Sequence, residues 1–148
     1  MKKYALAAAA LAGVTAFTGA SAAPATAPVA EDKAATVLRW RLIEKASHQL
    51  GQNTFSGIDT IRSVRTGNIV GHDSYTARFF PRTNRVRLQV AAAVKGGILV
   101  AAVHGTPTQD VFQGRVIRGT GKFSGAEGTV IARPEGQRNT VLVTIRLR

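Results

Sequence analysis

The residues of this chain best suited to acid–base chemistry are Asp59, Asp73 and Tyr75. Asp73 and Tyr75 are two positions apart, so both point to the same side if their segment is a β-strand. A carboxylate in an apolar pocket has a raised pKa and can act as a general acid or base, and a tyrosine hydroxyl can orient a phenol or a carbonyl group. The alternative is structural: Asp73 caps a turn or pairs with an arginine at the mouth of the fold.

Other catalytic chemistries find little support. The three histidines, His48, His72 and His104, lie far apart without the spacing of metal ligands, and the chain contains no cysteine. A Gly-x-Ser-x-Gly motif, which would indicate the nucleophile elbow of a hydrolase, is also absent. We therefore predict neither a metal nor a cofactor.

Short segments of alternating hydrophobicity predict an all-β domain. Strand patterns cover 36–43, 54–65, 69–80, 85–94, 98–103, 111–118, 129–133 and 140–148. The polar stretch Glu44–Gly51 predicts a connector or a short helical turn after the first strand. Eight short strands with almost no helix signal imply a sandwich or a barrel. We favour an eight-stranded antiparallel β-barrel, because closure leaves no unpaired strand edge.

The same alternation predicts which side chains face the core. In 69–80 the odd-numbered residues are the more apolar, which places Asp73 and Tyr75 inside, whereas the inward face of 54–65 stays open. Trp40 is a candidate to line a ligand pocket together with Tyr75, although packing in the core is the commoner role of a tryptophan. The segment 98–103 is apolar on both faces, which predicts cover on both sides or a subunit contact.

The chain is strongly basic, with 20 lysines and arginines against 8 acids and a formal charge of +12. If the first and last strands are neighbours, their outward faces bring together Arg39, Arg41, Arg146 and Arg148. Such a stripe can bind an anionic wall polymer, and the alternative is a solvated surface without a specific partner. Because no aromatic residues accompany these arginines, we predict no specific nucleic-acid partner.

The N-terminal segment has the pattern of an export signal. Lys2 and Lys3 precede the apolar, alanine-rich run Tyr4–Phe17, and Ala20-Ser21-Ala22 provides small residues for cleavage. We predict a signal peptide over 1–22, a flexible mature N-terminus over 23–34, and a β-barrel domain over 35–148. The protein is accordingly expected to be secreted.

The most specific stretch of the sequence is Gly119–Thr129, which contains four glycines. It is not a Walker loop, because Phe123 rather than Ser or Thr follows Lys122. It is not a dinucleotide fingerprint either, because Ser124 occupies the position of the third glycine. The glycines instead indicate positive φ angles and close backbone approach at a tight reversal.

This stretch resembles the Gly-Gly-Thr-Gly-x-Tyr/Phe-x-Gly-Ala-x-Gly signature of the dirigent and allene oxide cyclase-like barrel superfamily, with Arg118 in place of the first glycine. The matching signature residues are Gly119, Gly121, Phe123, Gly125 and Gly128. Weaker similarities at Gly57-Ile-Asp59, Gly67-Asn-Ile-Val-Gly71 and Gly97-Ile-Leu-Val extend the resemblance over most of the domain.

The resemblance implies an eight-stranded antiparallel barrel with an apolar cavity, often assembled as a trimer. It also implies a small hydrophobic or phenolic ligand, since plant members cyclise an epoxide of an oxidised fatty acid or steer the coupling of phenolic intermediates. It transfers no catalytic residue. We therefore predict a secreted bacterial dirigent-like barrel that binds such a ligand and steers its cyclisation or coupling, without metal or cofactor. The alternative is a basic structural protein that binds the cell wall or another polyanion without catalysis.

Overall fold

The computed structural model describes residues 35–136 and 139–148. The predicted signal peptide, 1–22, and N-terminal tail, 23–34, lie outside these residues. Within the described ranges, no helix is long and apolar enough to cross a membrane. The predicted barrel domain, 35–148, is thus described except for positions 137 and 138.

Eight strands make up the described chain, joined by short connections. They are β1 Thr36–Gly51, β2 Thr54–Ser63, β3 Ile69–Phe80, β4 Arg85–Val94, β5 Gly97–Gly105, β6 Phe112–Gly119, β7 Gly128–Pro134 and β8 Thr140–Leu147. Each strand pairs antiparallel with the next, and β8 pairs antiparallel with β1, so the sheet closes into a barrel. The predicted fold class is confirmed, and the last strand, β8, is paired on both edges.

The period-two patterns of the sequence place the core as expected. On β8 the buried side chains are Val143, Ile145 and Leu147, and the intervening Arg146 is exposed. On β4 the residues facing inward are less exposed than Arg87 and Gln89 between them. Alternation of apolar and polar side chains fixes the inward face because a one-residue shift in register would move every apolar side chain to the solvent.

The segment 98–103 on β5 is apolar on both faces, but only its inner face is buried. Leu99, Ala101 and Val103 are buried, whereas Ile98 on the outer face is 41% exposed. The described chain therefore does not cover the outer face of β5. The subunit contact expected from this pattern, and the trimer implied by the resemblance, stay predictions.

The first strand is longer than the sequence predicts. The polar stretch Glu44–Gly51 was expected to be a connector, but β1 continues through it. Its pairing with β2 shifts register between Glu44 and Ala46 and again between Gln49 and Gly51. Such β-bulges interrupt the alternation of faces, which explains why the sequence pattern ends too early. As a consequence, Glu44 is carried on a strand and faces the barrel interior.

The glycine-rich segment between β6 and β7, Gly119–Gly128, is called the signature turn below. It contains a 3₁₀ turn, Gly121–Phe123, whose Phe123 is 6% exposed and packs into the core at one end of the barrel. Gly121 and Gly125 have φ angles of 60° and 70°, in the left-handed region that favours glycine. The expectation of positive φ at this reversal is therefore confirmed.

Hydrogen bonds attach the signature turn to the β4–β5 hairpin. The backbone N–H groups of Thr120 and Lys122 donate to the carbonyl oxygens of Ile98 and Gly96 at 2.9 and 2.8 Å. In return, the N–H of Ile98 donates to the Thr120 hydroxyl at 3.1 Å. The turn is thus held by its neighbours as well as by its own conformation, and it closes one end of the barrel.

Candidate functional site

The barrel encloses a cavity of about 320 Å³. Its lining is mostly aliphatic and aromatic; the residues are Trp40, Leu42, Glu44, Asp59, Asp73, Tyr75, Leu88, Val90, Ala92, Leu99, Ala101, Val103, Phe112, Val116, Val130, Ala132, Pro134, Asn139, Val141, Val143 and Ile145. Pro134 and Asn139 are solvent-exposed, so the cavity opens at the barrel end where β7 leads into β8. The opposite end is filled by Phe123 and the signature turn. The cavity is large enough for a small ligand.

Three carboxylic acids line one wall of the cavity. Glu44 on β1 is paired in register with Asp59 on β2, and Asp59 is paired with Asp73 on β3. These three residues are called the acid row below. Side chains directly opposite on adjacent antiparallel strands have Cβ atoms about 4.5–5.5 Å apart. The closed sheet therefore gathers acids that are 15 and 14 positions apart in the sequence.

Both aspartates of the acid row are buried without hydrogen-bond partners for most of their oxygens. Asp59 is 8% exposed and Asp73 is 4% exposed. Within residues 35–136 and 139–148, Oδ1 of Asp59 and both carboxylate oxygens of Asp73 accept no hydrogen bond. Asp73 lies in the middle of β3, and the ion pair found in the described ranges, Arg41–Glu135, does not involve it. The alternative expectation for Asp73, a turn cap or an arginine partner, is therefore wrong for the described chain.

Burial and mutual repulsion change the protonation of this pair. Burial, together with the negative charge of Asp59, raises the pKa of Asp73 to about 8. Burial, together with the negative charge of Glu44, raises the pKa of Asp59 to about 6. At neutral pH the two neighbouring carboxyl groups therefore share one proton and one negative charge. Such a separation of pKa values is a common basis for assigning an acid and a base.

Tyr75 lies beside the acid row and is positioned by a glycine. Its partner in register on β2 is Gly57. A Cβ atom at position 57 would stand 2.5 Å from the ring carbon Cζ and the hydroxyl oxygen of Tyr75. Burial and the nearby acids raise the pKa of Tyr75 to about 12, so its hydroxyl stays protonated and can donate a hydrogen bond. Because Gly57 has no side chain, the phenol ring of Tyr75 can pack over the backbone of β2 at this position.

Trp40 both packs in the hydrophobic core and lines the cavity, which are the two roles that the sequence left open. It is 7% exposed and part of the hydrophobic core, and it also lines the cavity. Asp59, Asp73, Tyr75 and Trp40 are thus all brought to one cavity. Their roles in binding or catalysis stay predictions.

Glu44 is the charged lining residue that sequence reasoning missed. The alternation of Leu38, Trp40 and Leu42 on the inner face of β1 continues to Glu44 in steps of two. That continuation was the available signal, but the polar residues after it favoured a connector. Because Glu44 is half-buried and next in register to Asp59, it adds a third carboxyl group to the site.

The four arginines predicted to bind a polyanion lie on the outer side of β1 and β8 and at the C-terminus. Arg39, Arg146 and Arg148 are exposed. Arg41 instead donates through Nε to Glu135 at 2.6 Å, and this hydrogen bond lowers the pKa of Glu135. The pairing of β1 with β8 that was needed to bring these residues together is present. Their binding of a polymer stays a prediction.

The histidines do not form a site. His48, His72 and His104 are exposed residues of β1, β3 and β5, and none of them lines the cavity. Within the described ranges, no group of three or more histidine or acidic side chains is placed to hold a metal ion.

Comparison with solved structures places this architecture among known barrels. No protein-family model matches the chain, and no curated protein matches it in sequence. A pterocarpan synthase dirigent protein matches with a TM-score of 0.67 at 13% identity, over 86% of this chain and 98% of its own. The fold is a dirigent-like barrel.

Two other solved structures share the dirigent-like barrel. A pyocyanin demethylase matches with a TM-score of 0.65 at 15% identity, over 76% of this chain and all of its own. AbnU, an exo-specific intermolecular Diels-Alderase, matches with a TM-score of 0.63 at 14% identity, over 76% of this chain and 96% of its own. At such identities the likeness establishes the fold, which agrees with the resemblance inferred from the signature turn.

Proposed function

We propose that this protein is a secreted dirigent-like barrel that binds a small apolar or phenolic ligand in its cavity and steers the ligand's cyclisation or coupling. The observation that carries the proposal is the apolar cavity of about 320 Å³ with two buried aspartates in its wall, three of whose carboxylate oxygens accept no hydrogen bond from the described residues. A buried polar group without a partner costs stability, and its retention points to a role in binding or chemistry. The apolar lining keeps water away from a reactive ligand, and the shape of the cavity orients the ligand.

The acid row supplies a proton-transfer route for cyclisation. Asp73, with its raised pKa of about 8, is the general acid and donates its proton to an oxygen of the ligand. Asp59 is the general base and accepts a proton from another position of the ligand. Because the two are neighbours in register, the proton then returns from Asp59 to Asp73, and the pair is restored. Tyr75 donates a hydrogen bond that orients a ligand carbonyl or phenol.

The structural neighbours support the reaction class. Among them are a pterocarpan synthase dirigent protein and a Diels-Alderase. A Diels–Alder addition forms a ring, and the apolar cavity of this chain suits the binding of a compound that undergoes ring formation. The proposal takes from these neighbours only the class of reaction and none of their substrates.

Ligand binding is tested by fluorescence, because Trp40 is the single tryptophan of the chain and lines the cavity. A panel of phenols and oxidised fatty acids is titrated at concentrations up to the millimolar range, and saturable quenching by at least one compound is expected. Ala92→Leu fills the cavity beside Asp73 and should abolish the quenching. Ala93→Leu on the exposed face of the same strand is the matched control and should preserve it. Absence of quenching by every compound would contradict the proposal.

Catalysis is tested once a turned-over compound is found. Asp73→Asn and Asp59→Asn should each lower kcat by roughly 10²–10⁴-fold, the usual contribution of general acid–base catalysis. Glu127→Asn, an exposed acid of the signature turn, is the control and should leave kcat unchanged. If kcat is unchanged in both aspartate variants, the proposed acid–base role is wrong and only ligand binding remains of the proposal.

Export is proposed from the N-terminal sequence. Expression of the full chain in a bacterium should release a product that begins near Ala23, as measured by mass spectrometry of the culture medium. A full-length product retained in the cell would contradict secretion.

A second candidate function is binding of a polyanion such as a wall polymer to the outer surface. The pairing of β1 with β8 favours it, because it puts the exposed Arg39 and Arg146 on adjoining strands, near Arg148. Sedimentation with isolated wall material should decrease as salt is raised, and replacing these three arginines with glutamine should weaken it more than replacing Arg62, Arg65 and Arg82. Sedimentation that is unchanged in high salt would contradict this candidate.

A further inference from the structure

All charged side chains that line the cavity in the described chain are acids. They are the three members of the acid row, Glu44, Asp59 and Asp73, and no lysine, arginine or histidine is among the lining residues. The chain as a whole has 20 basic and 8 acidic residues. A purely acidic lining inside so basic a protein is the opposite of what its composition favours, so the sign of charge in the cavity differs from that of the surface.

The buried oxygens of the acid row need hydrogen-bond donors. Oδ1 of Asp59 and both carboxylate oxygens of Asp73 are buried and accept no hydrogen bond from the described residues. A protonated primary amine has three N–H donors and a positive charge, and charge-assisted hydrogen bonds to carboxylates are among the stronger ones. A ligand carboxylate, in contrast, would bring a further negative charge next to Asp59, and the described lining residues include no cation to balance it.

We propose that the ligand carries a protonated amine, which binds the acid row while the apolar or aromatic part of the ligand fills the remainder of the cavity. The inference rests on the binding part of the proposed function, since it names the polar group of the ligand for the same cavity. With an ammonium group bound, Asp73 is ionised and is no longer the proton donor. The inference also excludes free fatty acids whose carboxylate would enter the cavity. An engineered cavity of about 150 Å³ holds one benzene molecule, so this one suits a ligand of one or two rings.

Binding of a cation should be coupled to loss of a proton from the acid row. An ammonium group stabilises the ionised carboxylates, so its affinity should increase as the pH is raised from 5.5 to 8, while the amine itself stays protonated. The titratable groups that face the acid row are Glu44 from β1, Asp59 from β2, and Asp73 and Tyr75 from β3; the lining residues of β4 to β8 in the described chain contribute none. A neutral ligand should show a much smaller dependence on pH.

Three probes with the same phenol ring and different terminal groups test the proposal. Tyramine ends in an ammonium group, tyrosol in an alcohol and 4-hydroxyphenylacetate in a carboxylate. Isothermal titration calorimetry on the full chain should show tyramine binding about tenfold more tightly than tyrosol at pH 7.5, with 4-hydroxyphenylacetate weakest. The preference for tyramine over tyrosol should increase from pH 5.5 to 8.

Variants assign the preference to the acid row. Asp73→Asn and Glu44→Gln should reduce the preference for tyramine over tyrosol to about twofold or less. Glu44 is half-buried, so Glu44→Gln keeps the test available if the buried Asp73→Asn variant does not fold. Glu127→Gln removes the same charge at an exposed position outside the cavity and should leave the preference unchanged.

The outcomes separate this inference from the proposed function. Equal binding of tyramine and tyrosol, or tighter binding of the carboxylate probe, would overturn the amine while leaving a ligand-binding barrel intact. Binding of none of the three probes to the wild-type protein would overturn the amine, and the fluorescence panel would then decide separately whether the barrel binds a ligand. A preference for tyramine that persists in both Asp73→Asn and Glu44→Gln would overturn the assignment to the acid row.

Discussion

The signature turn and the acid row differ in how their polar groups are satisfied. In the signature turn, Thr120 and Lys122 donate backbone hydrogen bonds to the β4–β5 hairpin, and the Thr120 hydroxyl accepts one in return. In the acid row, three carboxylate oxygens of Asp59 and Asp73 are buried without a partner among the described residues. The signature turn closes one end of the barrel and buries only Phe123, whereas the acid row lies on three strands in the wall of the cavity.

The difference separates what holds the fold together from what the fold is used for. Satisfied hydrogen bonds and close backbone contacts stabilise the folded state, and they explain the glycines of the signature turn. Unpartnered buried acids destabilise it, and such groups are expected at binding and catalytic sites. Substitutions in the two regions should therefore have opposite effects on stability and on binding.

The largest effect on folding is expected from Gly119→Ala. A Cβ at this position would stand 1.9 Å from the carbonyl oxygen of Phe123, which is backbone and cannot rotate away. We expect the free energy of unfolding to fall by about 3 kcal/mol or more, measured by urea denaturation. Gly136→Ala is the control, because a Cβ there meets nothing within 4 Å, and it should change stability by about 0.5 kcal/mol or less. Equal urea midpoints for the two variants would remove the structural role assigned to the signature turn.

The next effect is a dependence of stability on pH that originates in the acid row. Burial raises the pKa of Asp73 from 3.8 to about 8, so between these values the folded state binds a proton that the unfolded state has lost. The free energy of unfolding should therefore decrease as the pH rises from about 4 to about 8, by up to about 1.4 kcal/mol per pH unit.

Asp73→Asn isolates this contribution because it keeps the shape of the side chain and removes the titration. The variant should be less sensitive to pH between 6 and 8 and more stable than the wild type at pH 8, as thermal unfolding over a pH series would measure. Glu127→Gln should keep the wild-type dependence, since Glu127 is exposed. A wild-type stability that is flat or increasing over this pH range would contradict the burial of an unpartnered acid.

A smaller effect on folding but a clear one on binding is expected from Gly57→Ala. The atoms that a new Cβ would approach belong to the far end of the Tyr75 side chain, which can move, so the loss of stability should be about 1–3 kcal/mol. Displacing the phenol from the cavity wall should weaken phenol binding by about tenfold. The double variant Gly57→Ala/Tyr75→Ala has no ring for the new Cβ to meet. Its loss in free energy of unfolding should therefore be smaller than the sum of the losses in the two single variants. Additive losses would show that Gly57 does not act through Tyr75.

The smallest effect is expected at the ion pair between Arg41 and Glu135. Its side chains are 44% and 29% exposed, and exposed ion pairs contribute little because water and salt screen them. Arg41→Gln should shift the thermal midpoint less than Gly57→Ala does, and the shift should disappear in 1 M salt. A large shift that persists in 1 M salt would contradict this expectation. It would show that this solvent-exposed ion pair is strongly stabilising, unlike the signature turn and the acid row in the way it contributes to stability.

Much of the fold was predictable from local patterns, and the site was predictable only in part. Alternation placed Asp73 and Tyr75 inside because their strand is regular and paired along its length. It left the inward face of β2 open, since residues of both faces there are mixed in polarity, and the structure turns Gly57, Asp59 and Ile61 inward. It missed Glu44, because the register shift after this residue interrupts the pattern that would have extended the strand.

The sequence by itself determined most of the strands and the signature turn, because side-chain alternation and glycine conformation act over a few neighbouring residues. Closure of the barrel, which the sequence only favoured over a sandwich, depends on the long-range pairing of β8 with β1. Tertiary structure alone decided that Glu44, Asp59 and Asp73 stand side by side, since their adjacency depends on the register between three strands. It also decided that the barrel keeps an open cavity of about 320 Å³, because this volume depends on how all the inward side chains pack together. The chemistry proposed for this protein arises from that second set of facts.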